Sequence, residues 1–186
     1  RADHPWVYQA EAAGTPVVYI RSGASGSGTS DDPAGSLAAV LGAATDPLVA
    51  VFDRGEYAPI RITNRPSVTL IGACASASII KSPNGLAGDF DGVAQVRLFG
   101  LGWETTLRSE AADPITPALR LSGASETHLE QLEVTSRRGH GLVIKDHTEG
   151  SVVLRRSSFS AADEEQLGEQ RPMDGVRVKD SLGSWT

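Results

Sequence analysis

The sequence predicts an all-β fold, a parallel β-helix solenoid of about four to five coils, from two internal repeats and from the shortness of its predicted strands. The clearer repeat is a pair of segments, 141–146 and 175–180, in which a glycine precedes an alternating apolar and polar run that ends in Lys-Asp. A weaker copy occupies 117–121. A β-rich unit that recurs at irregular intervals of roughly 20 to 35 residues, without a long helix, is typical of β-helix coils.

A second repeat consists of leucines that recur at intervals of 28, 31 and 25 residues. They are Leu70, Leu98, Leu129 and Leu154. The two repeats stay in phase, because ten residues separate Leu119 from Leu129 and ten also separate Ile144 from Leu154. A constant phase with variable intervals indicates a regular coil from which loops of different length project.

The composition fits a narrow core. Of the 186 residues, 40% are hydrophobic and only 5% are aromatic, so small aliphatic side chains would fill the interior. The net charge of −6 argues against nucleic acid or an anionic membrane as a partner of the whole surface, but it leaves room for a local basic stripe.

The apolar runs fall short of the ~18 residues of a membrane span, and no signal peptide is visible. Cys74 is the only cysteine, which rules out an intrachain disulfide, and its small neighbours predict buried apolar packing.

We divide the chain into an N-terminal part, 1–47, and a coil region, 48–186. Within the N-terminal part, 1–16 predict a short first strand or a loop, and 16–20 predict a strand. The glycine-rich segment 23–33 predicts a turn-rich loop. Its glycine spacing superficially resembles a phosphate loop, but no Lys-Ser or Lys-Thr pair follows it.

Ser36 is predicted to cap a short apolar helix over 37–44. Such a helix can cover the open end of a solenoid, which would otherwise expose strand edges and apolar core to water. The chain begins at Arg1, so we expect that an upstream segment was removed or excluded. At the other end, 181–186 lie where a further strand is due, so we expect the solenoid to continue beyond this chain or to stack on another chain.

The order of elements near the start resembles that of a known family. Segments 18–33 and 36–40 comprise a strand, a Gly/Ser/Asp/Thr loop, a proline and a short helix, and they resemble the opening of right-handed parallel β-helix proteins of the pectate-lyase-like superfamily. Residues 51–57, which end in Gly-Glu-Tyr, resemble the first-coil strand of that family. The resemblance spans 17–180 and implies a right-handed coil and a bacterial extracellular or cell-surface location. The superfamily includes lyases, hydrolases, esterases, epimerases, phage tailspikes and non-catalytic surface proteins, so it leaves the activity open.

Alternation along the repeated strands predicts a basic stripe on the lateral surface. If Leu142 and Ile144 point inward, then Lys145 points outward, and the equivalent positions of the neighbouring coils are basic as well. The predicted basic stripe consists of Arg120, Lys145, Arg177 and Lys179. Adjacent coils lie ~4.8 Å apart, so these cations could bind an anion such as a uronic-acid or sulfated polysaccharide. The alternative is a solvated face whose charge is balanced by Asp146 and Asp180.

Two segments also resemble motifs of polygalacturonase-type glycosidases. They are Gly-His-Gly at 139–141 and Arg-Val-Lys at 177–179. The resemblance implies that His140 would assist an acid/base pair, and that Arg177 and Lys179 would hold the carboxylate of a sugar. These three residues are the candidate catalytic residues.

The carboxylates that such a hydrolase needs are missing from the matching coil. Hydrolysis with inversion needs a general acid and a general base that flank the scissile bond, but 118–123 contain neither Asp nor Glu. A lyase would instead use Lys145, Lys179 or Arg177 as a base beside a Ca²⁺ ion. The best local pair for Ca²⁺ is Asp89 with Asp91, but Gly-Asp-Phe-Asp-Gly predicts a turn in a loop two coils from the stripe. We therefore expect no cofactor and no zinc site.

The second repeat predicts two further outward columns. One contains Phe99, Glu130 and Arg155, and the other contains Arg97, His128 and Val153. Glu130 and Arg155 would form an ion pair between coils, worth under ~1 kcal/mol if exposed. Phe99 and His128 offer either a surface on which a sugar can stack or an exposed filler.

Two hypotheses of function follow. The first is a non-catalytic secreted or surface domain that binds a glycan, acidic in character, or a protein partner at its lateral face. The second is a carbohydrate-active enzyme, a polysaccharide lyase or a polygalacturonase-like hydrolase, that acts on an acidic polysaccharide with the basic stripe. The incomplete set of carboxylates favours the first.

Overall fold

The computed structural model describes residues 4–83, 85–105, 116–137, 139–148, 150–161, 175–179 and 184–185. Within these residues the chain forms two short helices and seventeen short strands. The strands make three sheets in which every pairing is parallel, and successive strands of the coils pass from one sheet to the next. The predicted parallel β-helix solenoid is confirmed.

Each sheet receives one strand from each coil. Sheet 1 contains β1 (Val17–Ile20), β2 (Leu48–Phe52), β5 (Ser67–Ile71), β8 (Gln95–Phe99), β11 (Glu126–Glu130), β14 (Ser151–Arg155) and β17 (Ser184–Trp185). Sheet 2 contains β3 (Gly55–Tyr57), β6 (Ser78–Ser82), β9 (Gly102–Thr105), β12 (Glu133–Thr135) and β15 (Ser158–Ser160). Sheet 3 contains β4 (Ile60–Thr63), β7 (Gly88–Asp91), β10 (Leu119–Ser122), β13 (Leu142–Lys145) and β16 (Val176–Lys179). In the part of the chain that the structure describes, β2 to β16 therefore make five complete coils, at the upper end of the prediction.

Both sequence repeats lie in register. The leucine repeat forms one inward column of sheet 1, in which Leu70, Leu98, Leu129 and Leu154 are successive neighbours. The glycine-led repeat aligns the strands of sheet 3, where Leu119 faces Leu142 and Leu142 faces Val176. Apolar side chains stacked this way at each rung form one continuous core, and the burial of their surface is the main source of stability.

Four corners that follow sheet 3 are sharp because one residue at each adopts a left-handed backbone conformation. After sheet 3 these residues are Asn64, Gly92, Gly123 and Asp146, with φ of 52°, 64°, 72° and 52°. Each donates its backbone N–H to a carbonyl of the next coil, as Asn64 does to Asp91 at 2.9 Å. The connections between sheets 2 and 3 vary most in length, from the two residues 58–59 to the fifteen residues 161–175, and this variation accounts for much of the irregular repeat interval.

The first edge of the solenoid is covered by the glycine-rich loop. Its backbone pairs with β1, since Tyr19 donates its N–H to the Gly28 carbonyl at 2.8 Å and accepts from the Ala34 N–H at 2.9 Å. Asp32 holds the loop by accepting from the backbone N–H and the hydroxyl of Ser27, at 2.8 and 2.9 Å. A Cβ on Gly26 would clash with the carboxylate of Asp32, so this tight approach requires glycine.

The predicted capping helix is present as α2 (Leu37–Leu41), three residues shorter than predicted. The Ser36 hydroxyl accepts from the backbone N–H of Ala39 at 3.3 Å, which is the predicted N-cap. Leu37 is buried in the core and so covers the end of the first coil. The guanidinium of Arg65 binds the carbonyl of Leu41 at 2.8 Å, so the helix ends on a satisfied acceptor.

The first residues were predicted wrongly, because they form a helix, α1 (Pro5–Ala12), rather than a strand or loop. Pro5 lies in the first turn, where its missing N–H costs nothing. Nδ1 of His4 accepts from the backbone N–H of Trp6 at 3.3 Å and takes the place of a Ser or Asp cap. Val7 is fully buried against outward side chains of sheet 1, and this tertiary contact was invisible in the local pattern.

Cys74 was also predicted wrongly. Its side chain is exposed in the connection between β5 and β6, with its sulfur 3.6 Å from the hydroxyl of Ser76. Among the described residues, no helix is long and apolar enough to cross a membrane.

Candidate functional site

The outer surface of sheet 3 brings together the side chains that the sequence predicts for a binding site. We call this surface the charged face. Its first column contains Arg61, Asp89, Arg120, Val143 and Arg177, and its second contains Thr63, Asp91, Ser122, Lys145 and Lys179. All four residues of the predicted basic stripe lie on it, and Lys145 and Lys179 are direct neighbours.

Arg120 forms an ion pair with Asp89 within the charged face. Its Nε donates to Oδ1 of Asp89 at 2.9 Å and its Nη2 donates to Oδ2 at 2.8 Å, a bidentate arrangement. From the coil on the other side, Nε of Arg61 lies 3.5 Å from Oδ2 of the same carboxylate. The side chain of Asp89 is only 6% exposed, whereas that of Arg61 is 74% exposed. The hydrogen bonds to Asp89 are the largest cause of a raised pKa of Arg120, which stays charged.

The predicted position of the two aspartates was wrong. Asp89 and Asp91 lie in strand β7, not in a loop, and β7 is the direct neighbour of the strand that carries Arg120 rather than two coils away. Phe90 between them points into the core, so both carboxylates lie on the outer surface. Among the described residues, no group of three or more His, Cys, Asp or Glu side chains could hold a metal ion.

The second column ends in two exposed lysines. Nζ of Lys145 lies 3.7 Å from Oδ2 of Asp146, and the Lys145 side chain is 38% exposed. The same carboxylate accepts a hydrogen bond from the Ser122 hydroxyl at 3.4 Å. Lys179 is exposed on the next coil. Asp146 therefore balances part of the charge of Lys145, as the alternative interpretation of the stripe requires, while Asp180 lies outside the described residues.

His140 and Arg177, which are 37 residues apart in sequence, are in contact. Nη1 of Arg177 lies 3.0 Å from Nε2 of His140. A guanidinium can only donate, so Nε2 is the acceptor and a neutral His140 carries its proton on Nδ1. His140 is 2% exposed, whereas Arg177 is exposed at the surface. The imidazole of His140 therefore lies beneath the exposed guanidinium of Arg177, and a ligand on the charged face would contact Arg177 rather than His140.

Coil packing explains the glycine that follows this histidine. A Cβ on Gly141 would lie 2.6 Å from the Gly175 carbonyl oxygen and 2.9 Å from that of Ser160. Gly139 donates its N–H to the hydroxyl of Ser136 at 3.0 Å and so shapes the turn. The Gly-His-Gly pattern therefore has a structural reason that does not involve catalysis.

The predicted aromatic surface on sheet 1 is covered. The ring of Phe99 contacts that of His4, the N-cap of α1, at a centroid distance of 4.2 Å. The ring of His128 contacts that of Trp6 in α1 at a centroid distance of 5.2 Å. The predicted partner of Glu130 was Arg155, but the Glu130 carboxylate contacts Nε2 of His128 at 3.2 Å and Nη1 of Arg156 at 3.9 Å.

Two features of the surface were missed from the sequence. Arg61 belongs to the charged face, and its in/out/in segment Ile-Arg-Ile, which matches Leu-Arg-Leu at 119–121, is the signal that would have identified it. On sheet 2, Gly102 lies between Ile79 and Glu133 in one outward column. A cavity of about 200 Å³ opens beside it, and no pattern in the sequence indicated this cavity.

The fold and the charged face define a parallel β-helix protein with a laterally exposed set of cations. Comparison of the chain with protein-family models, with curated proteins and with solved structures finds no match in any of the three.

Proposed function

We propose that this protein is a non-catalytic β-helix domain of the pectate-lyase-like kind, secreted or on a cell surface, that binds an acidic glycan on its charged face. The observation that carries the proposal is the grouping of Lys145, Arg177 and Lys179 on two neighbouring rungs. All three reach solvent, in a chain whose net charge is −6.

Electrostatics supports a bound anion at this position. Like charges that face each other on neighbouring strands are destabilising, and Lys145 faces Lys179 directly. The Asp146 carboxylate lies 3.7 Å from Nζ of Lys145 and balances part of its charge. A carboxylate or sulfate of a glycan near the two ammonium groups would add a favourable interaction with both, and a regular polymer would repeat the contact from rung to rung.

The carboxylates of the charged face argue for binding without turnover. Asp89 is held by two arginines, so both of its carboxylate oxygens are engaged within the charged face. Asp91 is exposed on the same strand and lies on the side of the face away from Arg177. A general acid and a general base flanking one bond are therefore not assembled by these two residues.

The proposal is tested by calorimetric titration of the protein with an acidic and a sulfated polysaccharide, with neutral dextran as the comparison. We expect binding to the anionic polymers only, weakened by salt. Lys145→Ala and Lys179→Ala should each weaken binding by roughly threefold, as expected for one exposed charge contact. Lys81→Ala is the matched control, because Lys81 lies on sheet 2 and is paired with Glu56. Equal binding of dextran, or equal losses in Lys81→Ala, would contradict the proposal.

One observation favours a second function, a polysaccharide lyase or polygalacturonase-like hydrolase. The contact between His140 and Arg177 joins two residues that the glycosidase resemblance pairs in function. The test is incubation with the same acidic polymers, followed by assays for new reducing ends and for unsaturated products that absorb in the ultraviolet. Product that disappears in Arg177→Lys would establish the enzyme and overturn the non-catalytic proposal.

A further inference from the structure

Helix α1 lies over an apolar strip on the outer surface of sheet 1. The strip runs across three coils and consists of Val51, Ile71 and Phe99, which are successive neighbours in one column. Val7 of the helix is fully buried in one cluster with Val51 and Ile71. These side chains lie on the solvent side of the sheet and form a cluster separate from the core, so α1 is what keeps the strip covered.

His4 fastens the beginning of this helix in two ways. Its Nδ1 accepts the backbone N–H of Trp6 at 3.3 Å, which makes it the N-cap. Its ring lies 4.2 Å from the ring of Phe99 and 5.0 Å from that of Trp6, so it is also part of the contact with the strip. Histidine is not among the preferred N-cap residues, and it is a side chain whose acceptor disappears at mildly acidic pH.

Protonation of His4 would remove the first of these attachments. An imidazolium has two donors and no acceptor, so it cannot cap the Trp6 N–H. It would also place a positive charge at the N-terminal end of the helix, where the helix dipole is unfavourable to cations.

The surroundings of His4 make the docked helix sensitive to this charge. Burial is the largest cause of a lowered pKa of His4, while Glu130 raises it. The other charged or titratable groups on β8 and β11 are Arg97, Glu126 and His128, and Glu130 is itself engaged by His128 and Arg156. Because the pKa is lower in the docked state, docking is strongest above the ordinary His pKa of about 6.5 and weakens as the pH falls below it.

We propose that α1 is an acid-releasable cover, in which protonation of His4 removes the N-cap, frees the helix from sheet 1 and exposes the apolar strip. The coils themselves do not depend on this helix for any strand pairing, since β1 pairs with β2 and with the glycine-rich loop. The release is therefore local and reversible.

The experiment follows α1 between pH 7.5 and pH 5 in the whole chain. Chymotrypsin cleavage after Trp6 or Tyr8 and the fluorescence of a dye that binds apolar surface report the release, and far-ultraviolet circular dichroism reports the coils. The key variant is His4→Asn, which keeps a good N-cap that does not titrate. Val7→Ala provides the reference for a weakly docked helix, and His128→Gln removes the other nearby imidazole while keeping a donor toward Glu130.

The wild type should show a reversible rise in cleavage and dye binding at acidic pH, with the circular dichroism of the coils unchanged. The uncovered fraction should increase by roughly fivefold, the typical effect of losing an N-cap. His4→Asn should abolish the rise, and His128→Gln should retain it. The proposal is overturned by a wild type that does not respond, by an equal response in His4→Asn, or by coils that unfold together with the helix.

Discussion

Arg120 binds Asp89 through two hydrogen bonds, of 2.9 and 2.8 Å, that cross from one coil to the next on the surface of the solenoid. The carboxylate is almost completely shielded from water by this arginine and by Arg61. The pair therefore does two things. It ties β7 to β10 beyond their backbone ladder, and it withdraws one of the four predicted stripe cations from a ligand.

This pair should contribute to stability. Asp89→Ala leaves a half-buried guanidinium without its carboxylate and should lower the free energy of unfolding by about 1–3 kcal/mol. The matched control is Arg61→Ala, which removes a contact of 3.5 Å made by a 74% exposed side chain and should cost under ~0.5 kcal/mol. Urea unfolding measures both changes. A smaller loss in Asp89→Ala than in Arg61→Ala would show that the bidentate pair is not the dominant contact.

A second arginine should hold the N-terminal cap in place. Arg65 is 16% exposed and donates to the carbonyls of Leu41 and Ala44 and to Asp46, at 2.8, 3.3 and 2.8 Å. Arg65→Ala removes these donors from the end of α2 and should lower the free energy of unfolding by about 1–2 kcal/mol in a urea titration. Arg65→Lys should recover only part of the loss, because one ammonium cannot reproduce the fork of a guanidinium. Full recovery in the lysine variant would mean that charge alone matters.

Close contact between coils should make Gly72 sensitive to substitution. A Cβ there would clash with the Gly100 carbonyl oxygen, which is backbone, and would lie 2.8 Å from Cδ2 of Leu101. Gly72→Ala should therefore lower the free energy of unfolding by about 1–3 kcal/mol through overpacking. Gly42→Ala is the control, since nothing lies within 4 Å of its notional Cβ and its φ is −69°. Thermal unfolding should leave the control within about half a kcal/mol of wild type or slightly above it.

The register of the solenoid was predictable because equivalent residues of each sequence repeat stack in columns from coil to coil. The leucine repeat and the Lys-Asp repeat each supply one residue to each rung, so counting along the sequence aligned Lys145 with Lys179 correctly. The alternation rule also placed Arg120 and Arg177 on the outer surface. These predictions needed only the local period of a strand and the assumption that equivalent residues stack.

Two of the failures have a common cause, which is that contacts from another sheet overrode the local signal. The local sequence around Gly88 and the two aspartates predicted a turn, but Gly88 lies in a strand. A glycine is needed there because the Trp103 ring from sheet 2 would lie 2.5 Å from a Cβ at this position. In the same way, α1 lacks the usual capping residues and is defined by His4 and by the burial of Val7 on sheet 1. Nothing in the neighbouring sequence specifies either contact.

The glycine-rich loop that covers β1 should loosen in acid through Asp32. Its hydrogen bonds from the backbone N–H and the hydroxyl of Ser27 lower the pKa of this carboxyl below its ordinary value of 3.8. A lowered pKa means that the ordered loop is favoured fully above pH 3.8 and loses this contribution as the pH falls through the lower value. Hydrogen exchange of the Tyr19 N–H, which donates to Gly28 in the loop, measures the effect at the edge of the solenoid.

At neutral pH, Asp32→Asn should accelerate this exchange, because an amide is a weaker acceptor for the two donors of Ser27 than a carboxylate. Asp31→Asn is the charge-matched control: it removes the same charge from the adjacent position while leaving the Asp32 contacts in place, so it should leave exchange at Tyr19 unchanged. The Arg21 N–H, which donates to the Ala34 carbonyl at 2.9 Å, is an internal reference on the same edge, because its acceptor lies outside the turn that Asp32 closes on Ser27. Equal acceleration in the two variants would assign the effect to net charge rather than to the hydrogen bonds of Asp32.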